Sequence, residues 1–171
     1  MGRVLKLALA CVLLAGVSAA QEQTPPPQGS DAKPDPSIIK EFTRSAKLNG
    51  MIMSFVLVTD KTADVLFQAP GKYAIKARAR MGTLFYVQAT PENDVKQLDM
   101  KYTMEQDGQS VGGTALNIKN FEGGAVTKGN RIDGLLQFDK KIDPSRPFRI
   151  INDNSGVEFQ LSPEALKTMG L

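Results

Sequence analysis

The chain has 171 residues, with 21 Lys and Arg against 18 Asp and Glu, no His, no Trp and a single Cys. Those absences exclude Ser-His and Cys-His nucleophiles and zinc sites of ordinary composition. Arg3 and Lys6 fall in a leader, so 19 basic and 18 acidic residues remain, and a net charge of +1 points to no nucleic-acid partner.

Residues 1–20 read as a signal peptide. Arg3 and Lys6 form a short basic region, Leu5 to Val17 is apolar, and Ser18-Ala19-Ala20 supplies the small residues of a cleavage site before Gln21. The apolar run is shorter than the ~20 residues of a membrane span, so no transmembrane segment is expected after cleavage. Ala8-Leu9-Ala10 is a poor lipobox before Cys11, which argues against lipoprotein anchoring. The expected location is therefore periplasmic or secreted. Cys11 leaves with the leader, so no disulfide is available and a packed core must hold the domain.

Residues 21–36 carry Pro25, Pro26, Pro27, Pro34 and Pro36 among polar residues, the composition of an extended, solvated linker. Residues 37–171 form one domain. Asp35-Pro36-Ser37 suggests a helix start, with Ile38, Ile39, Phe42 and Ala46 as its apolar stripe and Asn49-Gly50 as its end. Met51 to Thr59 reads as a strand covered on both faces. Val65 to Gln68 reads as a shorter strand stopped by Pro70-Gly71. Tyr73 to Arg80 alternates, which predicts a strand with Lys76, Arg78 and Arg80 on one face.

Met81-Gly82 turns the chain and Leu84 to Ala89 returns. From Gln97 to Glu105, Leu98, Met100, Tyr102 and Met104 alternate with polar residues. Asp107-Gly108 signals a hairpin, and Val111 to Ile118 is its second arm, with Gly112-Gly113 marking a bulge or a close backbone approach. A Gly-rich loop covers Phe121 to Gly129. Three alternating runs follow. Ile132, Leu136 and Phe138 share one face of the first, Phe148 and Ile150 mark the second, and Val157, Phe159 and Leu161 the third. Ser162-Pro163-Glu164 caps a short last helix. The pattern predicts a mainly β fold, an antiparallel β-sandwich with one short helix near each end, and a small closed barrel as the second architecture.

The order Asp133-Gly134-Leu135-Leu136-Gln137-Phe138, Pro147-Phe148-Arg149-Ile150 and Val157-Glu158-Phe159-Gln160-Leu161 resembles the last strands of telokin-like, immunoglobulin-fold domains of bacterial exported proteins. The resemblance covers core positions in about a quarter of the chain. It implies an antiparallel immunoglobulin-like β-sandwich without an assigned activity and transfers no functional residue.

Several motifs have bland explanations. Ser37-Ile38-Ile39-Lys40 spells S-x-x-K but lacks the S-D-N and K-T-G companions. Asp99 and Glu105 share an expected strand face with Lys101 and Thr103, as on a solvated surface. Asn152 to Gly156 has turn composition, and Glu158 comes too early for a calcium loop. Met51, Met53, Met100 and Met104 are adaptable core filler rather than metal ligands. Neither a metal nor a cofactor is expected. Lys76, Arg78 and Arg80, spaced ~7 Å apart along the expected strand, are the candidate site for an anion or partner. Edge protection or neutralisation by neighbouring acids is the favoured explanation of such a row. The reading is an exported, non-enzymatic binding or interaction module of the bacterial envelope, whose partner is a protein or an anionic ligand. The competing class is a carboxylate-dependent hydrolase acting on an extracytoplasmic substrate.

Overall fold

The computed structural model describes residues 35–119 and 124–171. Residues 1–20, read as a signal peptide, and most of residues 21–36, read as a linker, lie outside the described residues, as does the start of the expected Gly-rich loop. The first helix, α1 (Ile38–Glu41), is one turn long, and the chain continues directly into strand β1 (Thr43–Leu48). The longer helix expected there does not form. Its supposed stop, Asn49-Gly50, has φ of 53° and 75° and joins β1 to β2 (Met51–Leu57) as a two-residue hairpin. Asn-Gly is the preferred dipeptide for that turn, so the residues from Thr43 gain more by pairing than by extending a helix of indifferent formers. In β2 the expected two-sided cover holds only from Phe55 onward, because Ile52 is exposed and Ser54 half-buried.

Two helices follow where strands were expected: α2 (Asp60–Leu66) and α3 (Gly71–Met81). Thr59 caps α2. Its hydroxyl accepts from Thr62 N (3.1 Å), while Thr62 Oγ1 accepts from Thr59 N (2.8 Å) and donates to the Leu57 carbonyl (2.9 Å). That reciprocal cap starts a helix where the short Val65 to Gln68 run suggested a strand. In α3, Ala74, Ala77 and Ala79 with unbranched Lys and Arg favour helix, and tertiary contact settles the period. Ile75 and Ala79, one helical turn apart, pack on Val58, Leu84 and Leu135.

Strands β3 (Thr83–Ala89), β4 (Val95–Leu98), β5 (Tyr102–Gln106), β6 (Gln109–Lys119), β7 (Gly124–Val126), β8 (Ile132–Phe138), β9 (Phe148–Asn152) and β10 (Ser155–Phe159) complete the β structure, and α4 (Pro163–Met169) ends it. The single strand expected from Gln97 to Glu105 is broken at Asp99. The Asn49 side chain satisfies the break, accepting from Asp99 N (2.9 Å) and donating to Asp99 O (3.2 Å). The Asp107-Gly108 hairpin forms as expected, with Gln106 opposite Gln109. So does the α4 cap, where Ser162 Oγ accepts from Ala165 N.

The protein is mainly β and antiparallel. One eight-stranded sheet runs β1-β2-β3-β8-β6-β5-β9-β10, and β4 pairs with β7 separately. The large sheet is nearly barrel-shaped. Its turning point is β6, whose residues up to Gly112 pair with β5 while those from Gly113 pair with β8. A Cβ at Gly113 would lie 2.7 Å from the Phe138 ring, so the expected close approach occurs at that glycine. One continuous ladder thus joins the two halves that a sandwich would keep as separate sheets. The end strands β1 and β10 come together where Arg44 Nη2 donates to the Gln160 carbonyl (2.7 Å).

The interior is aromatic. Phe85 lies 6.1 Å from Phe138, 6.1 Å from Phe148 and 5.2 Å from Phe159 between ring centroids, and Phe148 stacks on Phe159 at 4.9 Å. Each pair adds about 0.5–1.5 kcal/mol beyond its buried area, a contribution that a domain without disulfides needs. A smaller cluster of Val58, Ala63, Leu84 and Leu135 lies under α2 and α3 on the outer face of β3 and β8. The helix pair therefore covers the face of β8 that its sequence assigns to water, and Leu135 and Asp133 are buried there.

Candidate functional site

Lys76, Arg78 and Arg80 lie on α3 rather than in a row along a strand. At about 100° per residue, Lys76 and Arg80 share a flank of the helix while Arg78 points to the opposite one. The first flank faces the acids of α2. Lys76 Nζ is 2.8 Å and Lys72 Nζ 3.1 Å from the Asp64 carboxylate, and Arg80 Nη2 is 2.8 Å from Asp60 Oδ2. The Lys76 hydrogen bond holds the Asp64 carboxyl below its usual range. Arg78 reaches across to Gln137 Oε1 on β8 (3.1 Å). The three residues are not brought together, and neighbouring acids neutralise two of them.

Arg80 instead borders a groove between the end of α3, the start of α2, the β8–β9 loop and α4. Two connected clefts, of about 230 and 520 Å3, share Val58, Thr59, Ala79, Lys141 and Met169. The floor is apolar, from Leu57, Leu84 and Ile142. The rim carries Asp60, Lys61, Arg80 and Lys141.

Local chemistry builds this groove. The Thr59 cap sets Asp60 and Lys61 on the first turn of α2. Gly82 lets α3 turn into β3 hard against β8, since a Cβ there would sit 2.2 Å from the Phe138 carbonyl oxygen. Thr83 is buried, and its hydroxyl donates to Lys140 O (2.7 Å) and accepts from Ile142 N (3.0 Å), which pins the loop bearing Lys141. Asp60 is engaged by Arg80, whereas Lys61 and Lys141 form no ion pair among the described residues. Sequence reasoning missed these two lysines. They stand far apart in the chain, with no local motif around either.

The other motifs resolve into structure. Ser37 Oγ donates to Asp35 Oδ2 (2.7 Å), and Lys40 is exposed, so the S-x-x-K spacing assembles no nucleophile. Asp99 lies in the break before β5, while Glu105 on β5 pairs with Arg149 (2.9 Å), so the two acids do not share a strand face. Asn152 to Gly156 is the β9–β10 hairpin. No group of three or more acidic or thiol ligands is poised to hold a metal among the described residues.

A polar cluster lies on the outer sheet face beside α2. Tyr86 Oη donates to Asp133 Oδ1 (2.6 Å), and Arg131 Nε donates to the same oxygen (2.8 Å). Burial, reinforced by Asp133, raises the Tyr86 pKa. Asp133 is only 7% exposed, and its two donors make this a satisfied buried carboxylate at the boundary of the helix-covered surface.

The fold and groove define a mainly β, antiparallel protein with a helix pair against one face of a nearly barrel-shaped sheet. No protein-family model, curated protein or solved structure gives a significant match to the chain. No helix among the described residues is long and apolar enough to cross a membrane.

Proposed function

We propose that the protein is an exported, non-enzymatic binding module of the bacterial envelope, periplasmic or secreted, and that it takes the anionic end of an apolar ligand or partner segment in the α2–α3–α4 groove. One observation carries this reading: Lys61 and Lys141, neither in an ion pair among the described residues, stand on the rim of an apolar floor. Ammonium groups without partners attract an anion, and the floor rewards an attached chain. The resemblance to exported immunoglobulin-fold domains belongs to the same reading, with the two sandwich halves merged through β6.

Titration with octanoate, octanol and acetate tests the groove. Octanoate should bind best, because it alone supplies both parts, and Lys61→Gln/Lys141→Gln should weaken it about tenfold, while Lys76→Gln leaves it unchanged. Equal binding of octanoate to the double variant, or no binding of any probe, overturns the proposal. N-terminal sequencing of the protein recovered outside the cytoplasm should begin at Gln21.

A further inference from the structure

The outward side of α3 has the wrong character for a surface facing only water. Ile75 and Ala79 turn inward, which leaves Tyr73, Ala77 and Met81, at successive steps of four, along the opposite side. All three are exposed, Tyr73 by 64% and Met81 by 67%. The other large apolar side chains with comparable exposure among the described residues, Ile52 and Leu171, stand singly on β2 and at the last residue. Singly exposed apolar residues are ordinary, but an aligned pair on one helix is a stripe.

Cations border the stripe on both sides. Lys72, Lys76 and Arg80 lie on the α2 flank and Arg78 on the β8 flank, while Lys72 Nζ sits 5.6 Å over the Tyr73 ring. Residues 60–81 hold Lys61, Lys72, Lys76, Arg78 and Arg80 against Asp60 and Asp64, a net charge of +3. The rest of the chain after the leader is correspondingly slightly acidic, so the positive field is concentrated on this hairpin.

We infer that α3 docks on an anionic lipid bilayer, with Tyr73 and Met81 entering the headgroup boundary and Arg78, whose side chain is held by the neutral Gln137 and by no acid among the described residues, meeting a lipid phosphate. An apolar line flanked by cations is the pattern of a helix lying in a membrane interface, and tyrosine favours that depth. Charge complementarity selects the occupant: a neutral bilayer would meet the apolar line but leave the cations unrewarded. Tyr73, Ala77 and Met81 do not line the groove, although Arg80 borders both, and vesicle binding through the stripe is read independently of octanoate binding in the groove.

The chain contains no Trp, so Met81→Trp places a single reporter on the stripe. In the processed protein, its emission should shift to the blue with vesicles containing phosphatidylglycerol, and the shift should fade at high salt. Phosphatidylcholine vesicles alone should leave it unchanged. In co-sedimentation, Arg78→Gln should lower partitioning about fivefold, and Tyr73→Ser/Met81→Ser should abolish it while circular dichroism stays native. No shift, a shift of equal size with neutral vesicles, or unchanged sedimentation of the serine variant overturns the inference. Binding to soluble polyglutamate without any vesicle shift also overturns it, in favour of an acidic macromolecular partner.

Discussion

The Lys76 ammonium sits 2.8 Å from Asp64 Oδ2 and joins α3 to α2 across their shared flank. This hydrogen bond is the main reason the Asp64 carboxyl titrates below its usual value of 3.8. The folded state therefore holds fewer protons than the unfolded chain in that range. The pair's contribution is fully present above 3.8 and is lost as pH falls through the depressed value. Asp64→Asn should melt below the wild-type protein at neutral pH, and the two melting temperatures should converge in acid. A gap that persists unchanged in acid would show that the ion pair is not its source.

Gly82 and Gly112 should respond very differently to one added methyl group. A Cβ on Gly82 would meet the Phe138 carbonyl oxygen at 2.2 Å, whereas Gly112 has nothing within 4 Å. Gly82→Ala must push α3 away from β8 and should cost about 3 kcal/mol, while Gly112→Ala should change stability by no more than about 0.5 kcal/mol. Urea denaturation of the two variants measures the difference.

Thr83→Val keeps the shape of a buried side chain and removes the hydroxyl that holds Lys140 O and Ile142 N. With two backbone groups unpartnered, stability should fall by about 1–3 kcal/mol. The loop carrying Lys141 should also loosen, so octanoate affinity should drop while hydrogen exchange at Ile142 rises. Loss of stability with unchanged exchange there would mean that other contacts place the loop.

Much of the β structure was legible from local pattern alone. Asp107-Gly108 demands a hairpin turn, the Phe148 and Val157 runs alternate cleanly, and Ser162-Pro163 is a helix start in any context. Three members of the aromatic interior were equally readable, because Phe138, Phe148 and Phe159 fall on alternating apolar positions. Phe85 instead lies in the unbroken apolar run Leu84-Phe85-Tyr86-Val87, which does not say which side faces in. The errors lie where a short segment satisfies two periods at once. Tyr73 to Arg80 alternates like a strand and also repeats every four residues like a helix. Its own residues do not choose between the two.

The amino-acid sequence by itself determined which residues are apolar, where the backbone reverses, and which catalytic chemistries lack their residues. Only the tertiary structure decided which cations remain without partners. Asp60 and Asp64 meet Arg80 and Lys76 because two helices pack together, and Lys141 reaches the same groove as Lys61 because Thr83 pins a distant loop. Turns and alternation depend on neighbours in the chain, and a single sequence displays those. Charge compensation depends on distances of a few ångströms between residues far apart in the chain, which exist only once the core has closed.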